Sequence, residues 1–194
     1  MEISLIRHGK SKHIDNNRVT CKEFKDWIKK YDDSGVLEES SYPLATVEKL
    51  ETSKLVITSD LKRTTETVRL LNPNVKAISS PLFRETELPV PSTKLWNLKL
   101  KPSIWAVILR CLWFSGYAKQ CESLSNAKQR AKKAAEELVN YAKEHESVAL
   151  VGHGFINMLI AKELQGRGWK GKRTPSSKHL NCTTYSFVLN HGPS

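Results

Sequence analysis

The sequence is poor in cysteine, in long apolar runs and in acidic charge. Its four cysteines are Cys21, Cys111, Cys121 and Cys182. They form no Cys-x-x-Cys pair and are too sparse for a small secreted disulfide scaffold, so we expect free thiols and no structural zinc. The longest apolar stretch, residues 103–114, is too short to span a bilayer and contains Arg110. Met1 is not followed by a basic segment and an apolar one, so we expect a cytoplasmic protein without a membrane span.

The scarcity of acidic residues leaves the chain strongly basic. Lysine and arginine number 31 against 20 acidic residues, which gives a net charge of +11. This charge favours an anionic partner such as a phosphate ester, a nucleic acid or an acidic membrane surface, and does not choose among them. The length of 194 residues suits a single domain.

Short apolar or β-branched runs alternate with segments of helical periodicity. The runs predicted as strands are residues 2–6, 54–58, 75–79, 147–152 and 183–190. The segments predicted as helices are residues 21–31, 61–71, 122–145 and 155–164. This alternation predicts an α/β fold with a mostly parallel central sheet flanked by helices.

Two segments depart from the alternation. A proline-rich stretch opens an insertion at about residues 88–121, which we interpret as a cap. Within it, residues 104–114 are either an amphipathic helix buried on the sheet or in a dimer contact, or part of a lid over the site formed by residues 92–118. The other segment, residues 165–178, carries five basic residues among glycines and a proline and is typical of a solvated connection.

Polar groups follow four of the predicted strands. These groups are Arg7-His8-Gly9, residues 58–63, residues 83–87 and Gly152-His153-Gly154. Taken singly, each has an ordinary explanation, such as a structural histidine or a surface arginine. Open α/β sheets bind ligands at the carboxyl ends of their strands, so the recurrence predicts one shared site there.

The same residues resemble the motifs of the histidine phosphatase superfamily, in its phosphoglycerate mutase-like branch, over nearly the whole chain. The opening Arg-His-Gly motif matches Arg7, His8, Gly9 and Ser11. A Ser-x-Leu-x-Arg-Thr stretch matches Ser59, Leu61, Arg63 and Thr64, and the late Gly-His-Gly matches residues 152–154. The acidic residue of the family falls on Glu85, with Phe83 in place of leucine, and Glu122-Ser123 resembles the segment before a long helix.

The resemblance implies phosphoryl transfer through a phosphohistidine, with His8 as the nucleophile and no metal or cofactor. Arginine forks match phosphate oxygens, and a neutral imidazole attacks phosphorus once its other nitrogen is fixed by a hydrogen bond, for which a carbonyl near Gly9 is suitable. The catalytic residues are then His8, Glu85, Arg7, Arg63 and His153. The phosphate-binding residues are Arg7, Gly9, Ser11, Arg63, His153 and Gly154. Glu85 would donate and accept the proton, and we prefer it to Glu87, which would point to the other face of an extended segment.

The choice of activity within this family stays open at the level of sequence. An asparagine that many mutases carry after the first motif falls near Ile14 here, and the insertion is apolar at its centre rather than basic. Hydrolysis of a small phosphate ester is therefore favoured over mutase activity, and a phosphoprotein substrate is possible. A non-catalytic phospho-ligand binding module is the other alternative, whereas no motif supports nucleic-acid binding. The sequence does not indicate an oligomeric state.

Overall fold

The computed structural model describes residues 1–91 and 98–188. Its centre is one five-stranded sheet in the order β3-β2-β4-β1-β5. The strands are β1 (Glu2–Arg7), β2 (Leu55–Thr58), β3 (Ala77–Ser79), β4 (Ser147–Gly152) and β5 (Cys182–Ser186). The first four are mutually parallel, and β5 runs antiparallel to β1 at the edge. The predicted α/β fold with a mostly parallel sheet is confirmed.

Within residues 1–91 and 98–188, six helices and one 3-10 turn connect these strands. The helices are α1 (Cys21–Asp33), α2 (Leu44–Thr52), α3 (Lys62–Leu71), α4 (Pro102–Phe114), α5 (Leu124–His145) and α6 (Gly154–Gly166), and the turn is Pro81–Phe83. The sequence did not predict helix α2, because several of its nine residues are β-branched and its N-cap residue, Pro43, has no side chain that could cap the helix. None of the helices within the described residues is long and apolar enough to cross a membrane.

Local sequence signals explain where the longer helices begin and which face they bury. Helix α1 starts with a capping box, in which the Thr20 hydroxyl accepts from the Glu23 amide and the Glu23 carboxylate accepts from the Thr20 amide. Helix α5 starts at Ser123, whose hydroxyl accepts from the Asn126 amide. The buried face of α5 is a stripe of small residues, which lets α5 pack closely on α6 and on the sheet.

The sheet register brings the two histidine motifs side by side. Arg7 pairs with Gly152 at the ends of β1 and β4, and the His8 amide donates to the Gly152 carbonyl at 3.0 Å. Apart from Ser4, which hydrogen-bonds to Thr184, both strands are apolar along their buried length, as expected for central parallel strands. The residues that follow β1, β2 and β4 therefore leave the sheet at one edge.

The predicted strands at the two sheet edges differ from the observed ones. Of the predicted strand 75–79, only the three exposed residues of β3 form a strand. Val75 still belongs to the turn after α3, where its amide donates to the Asn72 carbonyl. The run 183–190 becomes β5, and residues 189–190 lie outside the described residues. Neither change alters the site, because the site lies on the central strands.

Helix α4, inside the predicted cap, packs on α1 and on the core. Trp105 and Leu109 form a satellite apolar cluster with Cys21 and Phe24, and Trp113 belongs to the main core. The indole of Trp105 donates to the Val19 carbonyl at 2.7 Å. This burial favours a packed helix over a lid whose tryptophans line the site. Residues 92–97 of the predicted lid lie outside the described residues.

Candidate active site

His8 leaves the end of β1 as a buried side chain with one ring nitrogen fixed. Its Nδ1 lies 2.7 Å from the Gly9 carbonyl oxygen, and the side chain is 3% exposed. Because a carbonyl oxygen only accepts, Nδ1 carries the proton in the neutral ring, and Nε2 carries the lone pair. This is the tautomer that a nucleophilic imidazole requires.

His153 stands beside His8 as the residue that precedes α6. The two ring centroids are 5.0 Å apart, and the Nε2 atom of His153 lies 2.7 Å from the Ser59 hydroxyl, which in turn contacts Thr64 at 2.9 Å. When Ser59 donates in this bond, Nδ1 of His153 carries the proton. This Nδ1 is buried and has no hydrogen-bond partner among the described residues.

The two arginines bring further buried donors to the same place. Arg63 is 2% exposed, and its Nη1 donates to Asp32 at 2.7 Å and to the Tyr31 carbonyl at 3.0 Å. Arg7 donates through its Nη1 to the Ser177 carbonyl. Within the part of the chain that the structure describes, the Nε atoms of both arginines are buried without a partner.

Unpartnered buried donors are costly. A donor left unsatisfied inside a protein costs about 1–3 kcal/mol, so proteins seldom retain several in one place without a functional reason. Here the Nε atoms of Arg7 and Arg63 and the Nδ1 of His153 belong to residues that follow neighbouring strands. Their chemistry is that of an anion-binding site, and a phosphate group has the oxygens to satisfy all three.

The electrostatic environment keeps the histidines neutral. Burial lowers the pKa of His8 well below its usual value, and Arg63 lowers it further, against the opposing effect of the Gly9 hydrogen bond. Burial also lowers the pKa of His153 well below its usual value, with smaller effects from His8 and Arg63 in the same direction. A neutral His8 retains the lone pair on Nε2 at neutral pH.

Glu85 lies at the N-terminus of α6, opposite the histidines. Its Oε2 accepts from the Phe155 amide at 3.1 Å, and its Oε1 accepts from the Ile156 amide at 3.0 Å and from its own neighbour, the Thr86 amide, at 2.9 Å. A Cβ placed on Gly154 would lie 3.8 Å from both the Glu85 Oε2 and the Arg7 guanidinium carbon. Glu85 therefore caps α6 and lies close to the guanidinium group of Arg7.

Glu87 is directed elsewhere. Its Oε2 accepts from the Glu122 amide at 3.1 Å, at the segment that leads into α5. Glu122 itself pairs with Arg130 at 2.7 Å. The structure thus brings Glu85, and not Glu87, to the predicted site.

Two of the predicted phosphate-binding residues, Gly9 and Ser11, already make hydrogen bonds within the protein. The Gly9 amide donates to the Thr67 hydroxyl at 3.0 Å and the Gly9 carbonyl accepts from His8, so the phosphate contact of Gly9 stays a prediction. The Ser11 hydroxyl accepts from the His13 amide at 3.1 Å within the turn after the motif. Gly154 opens α6 next to Arg7, and its phosphate contact stays a prediction.

His179 also lies at the candidate site, although the sequence motifs did not predict it. Its ring centroid lies 5.3 Å from that of His8, and its Nδ1 lies 2.8 Å from the His8 carbonyl oxygen, to which it donates. Burial lowers its pKa, and the nearby Arg7 lowers it further. The segment 165–178 is therefore more than a solvated connection, because its end reaches the site. We refer below to His8, His153 and His179 as the site histidines.

The end of α1 also lies at the site, which the sequence did not predict. The guanidinium of Arg63 lies 4.3 Å from the centre of the Tyr31 ring, and Asp32 pairs with the same guanidinium. Burial raises the pKa of Tyr31, while Arg63 and Arg7 act in the opposite direction. Among the described residues, no group of three His, Cys, Asp or Glu side chains is placed to hold a metal ion.

Comparison with known families agrees with this geometry. The model of the histidine phosphatase superfamily (branch 1) matches residues 43–193, which is more than half of the chain. The protein belongs to this superfamily, as its motifs predicted, which supports a phosphatase or mutase that acts on phosphate esters. Among curated proteins, none matches the sequence.

Solved structures of similar fold come from distant relatives. Mycobacterial hydrolase 1 is 18% identical, with a TM-score of 0.63 over 98% of this chain and 92% of its own. A phosphoglycerate mutase from Bacillus anthracis is 17% identical, with a TM-score of 0.59 over 95% and 86%. A phosphoserine phosphatase from Entamoeba histolytica, solved with phosphoserine, is 15% identical, with a TM-score of 0.55 over 98% and 92%. At these identities the likeness shows a shared phosphoglycerate mutase-like fold.

Proposed function

We propose that the protein is a metal-independent phosphomonoester hydrolase that acts through a phosphohistidine on His8. The observation that carries this proposal is the convergence of one nucleophile with three buried nitrogen atoms that have no hydrogen-bond partner among the described residues. The Nε2 atom of His8 holds the lone pair, while the Nε atoms of Arg7 and Arg63 and the Nδ1 of His153 are buried without partners among the described residues. Phosphoryl transfer requires mainly positioning and charge stabilisation, which this arrangement supplies.

The proposed reaction has two steps. In the first, Nε2 of His8 attacks phosphorus and the ester P–O bond breaks, while a protonated Glu85 gives its proton to the departing oxygen. In the second, water attacks the phosphohistidine and Glu85 takes back a proton, which releases inorganic phosphate and restores both residues. The two arginines and His153 stabilise the charge that moves onto the phosphoryl oxygens in both steps.

The packing of the cap favours hydrolysis over mutase activity. A mutase must hold a second phosphate, and α4, the central helix of the cap, contributes only one charged side chain, Arg110, while the described lysines of the cap lie outside this helix. That side chain is turned inward, where it donates to the Thr86 hydroxyl at 2.8 Å and stacks 4.1 Å from the Phe155 ring centre. It is therefore not available for a second phosphate group.

The substrate we propose is a small phosphate ester. The strongly basic chain and the single phosphate-sized group of donors suit a dianionic monoester. The phosphoserine phosphatase of similar fold acts on a small ester of this kind, whereas a phosphoprotein substrate is the second candidate. A screen of small phosphate esters against a phosphoserine peptide would distinguish the two.

The test is to trap the intermediate. A rapidly quenched reaction of the wild-type protein with p-nitrophenyl phosphate, in the presence of a metal chelator, should yield an acid-labile, base-stable phosphoprotein. The His8→Ala variant should yield neither this species nor product, whereas His145→Ala, a change at the end of α5, should behave as wild type. Normal turnover by His8→Ala would overturn the proposal. Loss of turnover on chelation would overturn its metal independence.

A further inference from the structure

Helix α4 carries an apolar stripe on its outer surface. Val107 is 64% exposed, Ile104 45% and Phe114 46%, and Cys111 is exposed between them. Positions 104, 107, 111 and 114 recur at helical spacing and so lie along one face. The opposite face, with Trp105 and its neighbours, is buried against α1 and the core.

Such a stripe is unusual for a surface helix, which normally exposes charged side chains. The one charged residue of α4, Arg110, is buried against Thr86 and Phe155, and the exposed face has no charge at all. Contiguous exposed apolar surface on a monomer usually marks an interaction site. The composition of α4 therefore suits a helix that is buried on one side by the protein and on the other by a partner.

The charge around the stripe indicates the chemistry of this partner. Residues 88–121 contain no acidic residue, and of their five basic residues Lys99, Lys101 and Lys119 are the exposed ones among the described residues, with Lys99 near Glu23 of α1. Lys99 and Lys101 are exposed directly before α4, and Lys119 is exposed shortly after it. Exposed apolar side chains can enter the interface of a bilayer, and lysines close to them are attracted to anionic headgroups.

We infer that the outer face of α4 docks on an anionic phospholipid surface, with Ile104, Val107 and Phe114 inserted among the acyl chains and the lysines against the headgroups. A second copy of the chain fits this face less well. Two copies joined through α4 would bring together two acid-free, basic segments on molecules that each carry a net charge of +11. Anionic lipid complements that charge instead of opposing it.

The test is co-sedimentation with vesicles, using the full chain. Wild-type protein should sediment with vesicles of phosphatidylcholine and phosphatidylglycerol, and much less with phosphatidylcholine alone. Val107→Asp should lower the partition coefficient by about tenfold or more, because a carboxylate would enter the apolar layer. Leu44→Asp is the matched control, since Leu44 is 77% exposed on the separate helix α2 and its replacement should change nothing.

The electrostatic contribution can be tested separately. Each lysine near an anionic surface is worth about fivefold in partition, so Lys99→Gln and Lys101→Gln together should lower binding about 25-fold, and added salt should do the same. Hydrolysis of p-nitrophenyl phosphate in solution should be unchanged in Val107→Asp, because Val107 is 64% exposed on α4 and is not one of the proposed catalytic residues. Normal hydrolysis also shows that the variant is folded, so the failure of docking and the failure of the proposed activity can be told apart.

Three outcomes would overturn the inference. The first is wild-type protein that stays in the supernatant with both kinds of vesicle. The second is equal loss of sedimentation in Val107→Asp and Leu44→Asp. The third is a lipid-independent dimer, seen by sedimentation velocity, that Val107→Asp dissociates, because a second copy would then be the partner of this face.

Discussion

Replacing Glu85 by glutamine separates its two roles, that of a helix cap and that of a proton donor. The carboxylate accepts three backbone N–H groups, two of them from the first turn of α6. An amide of the same shape keeps one acceptor oxygen and turns an NH2 group toward an N–H donor. The change removes at least one charge-assisted hydrogen bond, worth about 1.5–3 kcal/mol, and the favourable interaction of a negative charge with the helix N-terminus, worth up to about 1 kcal/mol.

These values set the expected loss of stability. A loss of about 2–4 kcal/mol in the free energy of unfolding should lower the Tm by roughly 4–16 °C for a chain of this length. Glu87→Gln is the matched control, because Glu87 accepts a single backbone N–H, that of Glu122. Its Tm should fall by less, and thermal melts of the three proteins measure the difference.

The kinetic effect of the same substitution depends on the leaving group. Loss of a general acid costs about 10²–10⁴-fold for an alkyl ester such as phosphoserine, whose oxygen leaves poorly without a proton. The loss should be less than about tenfold for p-nitrophenyl phosphate, whose phenolate leaves unaided. Measurement of kcat for both esters, well below the Tm of the variant, gives the ratio. Equal losses on the two esters would mean that Glu85 only caps α6, and a selective loss in Glu87→Gln would move the acid to Glu87.

Three further predictions concern pH, the phosphate site and the cap. The folded-state pKa of each site histidine is depressed, so the unfolded chain binds more protons than the folded one below about pH 6.5. The free energy of unfolding, measured by urea denaturation, should be full above that pH and fall below it by up to about 1.4 kcal/mol per pH unit for each buried histidine. A flat profile from pH 7 to 5 would contradict this. Asp32→Asn removes a carboxylate that competes with the substrate for Arg63, so the inhibition constant of inorganic phosphate should fall about fivefold, equivalent to about 1 kcal/mol. The control Asp33→Asn should leave this constant unchanged. Weaker inhibition in Asp32→Asn would show that Asp32 instead holds Arg63 in place. Trp105→Ala should cost about 3–5 kcal/mol and lower the Tm by roughly 6–20 °C, whereas an unchanged Tm with a raised KM for aromatic esters would restore the lid interpretation.

The sheet and the histidine motifs could be predicted from the sequence because both depend on patterns of residues that are close together in the chain. A buried strand that ends on Arg7-His8 and another that ends on Gly152-His153 place their polar groups at a common edge for any parallel pairing. The bond from His8 to the Gly9 carbonyl was also foreseeable, since it joins adjacent residues.

Contacts that depend on where a separate element packs were not predictable in this way. His179 precedes β5, and only the antiparallel direction of that strand brings its beginning to the edge where β1 ends. Asp32 reaches Arg63 because of how α1 lies across the sheet, which periodicity does not determine. The hydrogen bond from the Gly9 amide to Thr67 on α3 joins residues 58 positions apart in the chain, and no local pattern predicts it.

The departures from ordinary packing gather where the chemistry is proposed. Elsewhere the interior follows the usual rules, with an alanine-rich stripe on α5 and apolar central strands. At the carboxyl edge of the sheet, the protein instead buries Arg63 at 2% exposure and two neutral histidines, and the Nε of Arg63 and the Nδ1 of His153 are unpaired among the described residues. Each unpaired donor lowers the free energy of unfolding by about 1–3 kcal/mol, and this penalty belongs to folding and not to substrate binding. A phosphate group that enters the site then gains hydrogen bonds without having to reorganise the protein, and electrostatic stabilisation of phosphoryl transfer depends on that preorganisation.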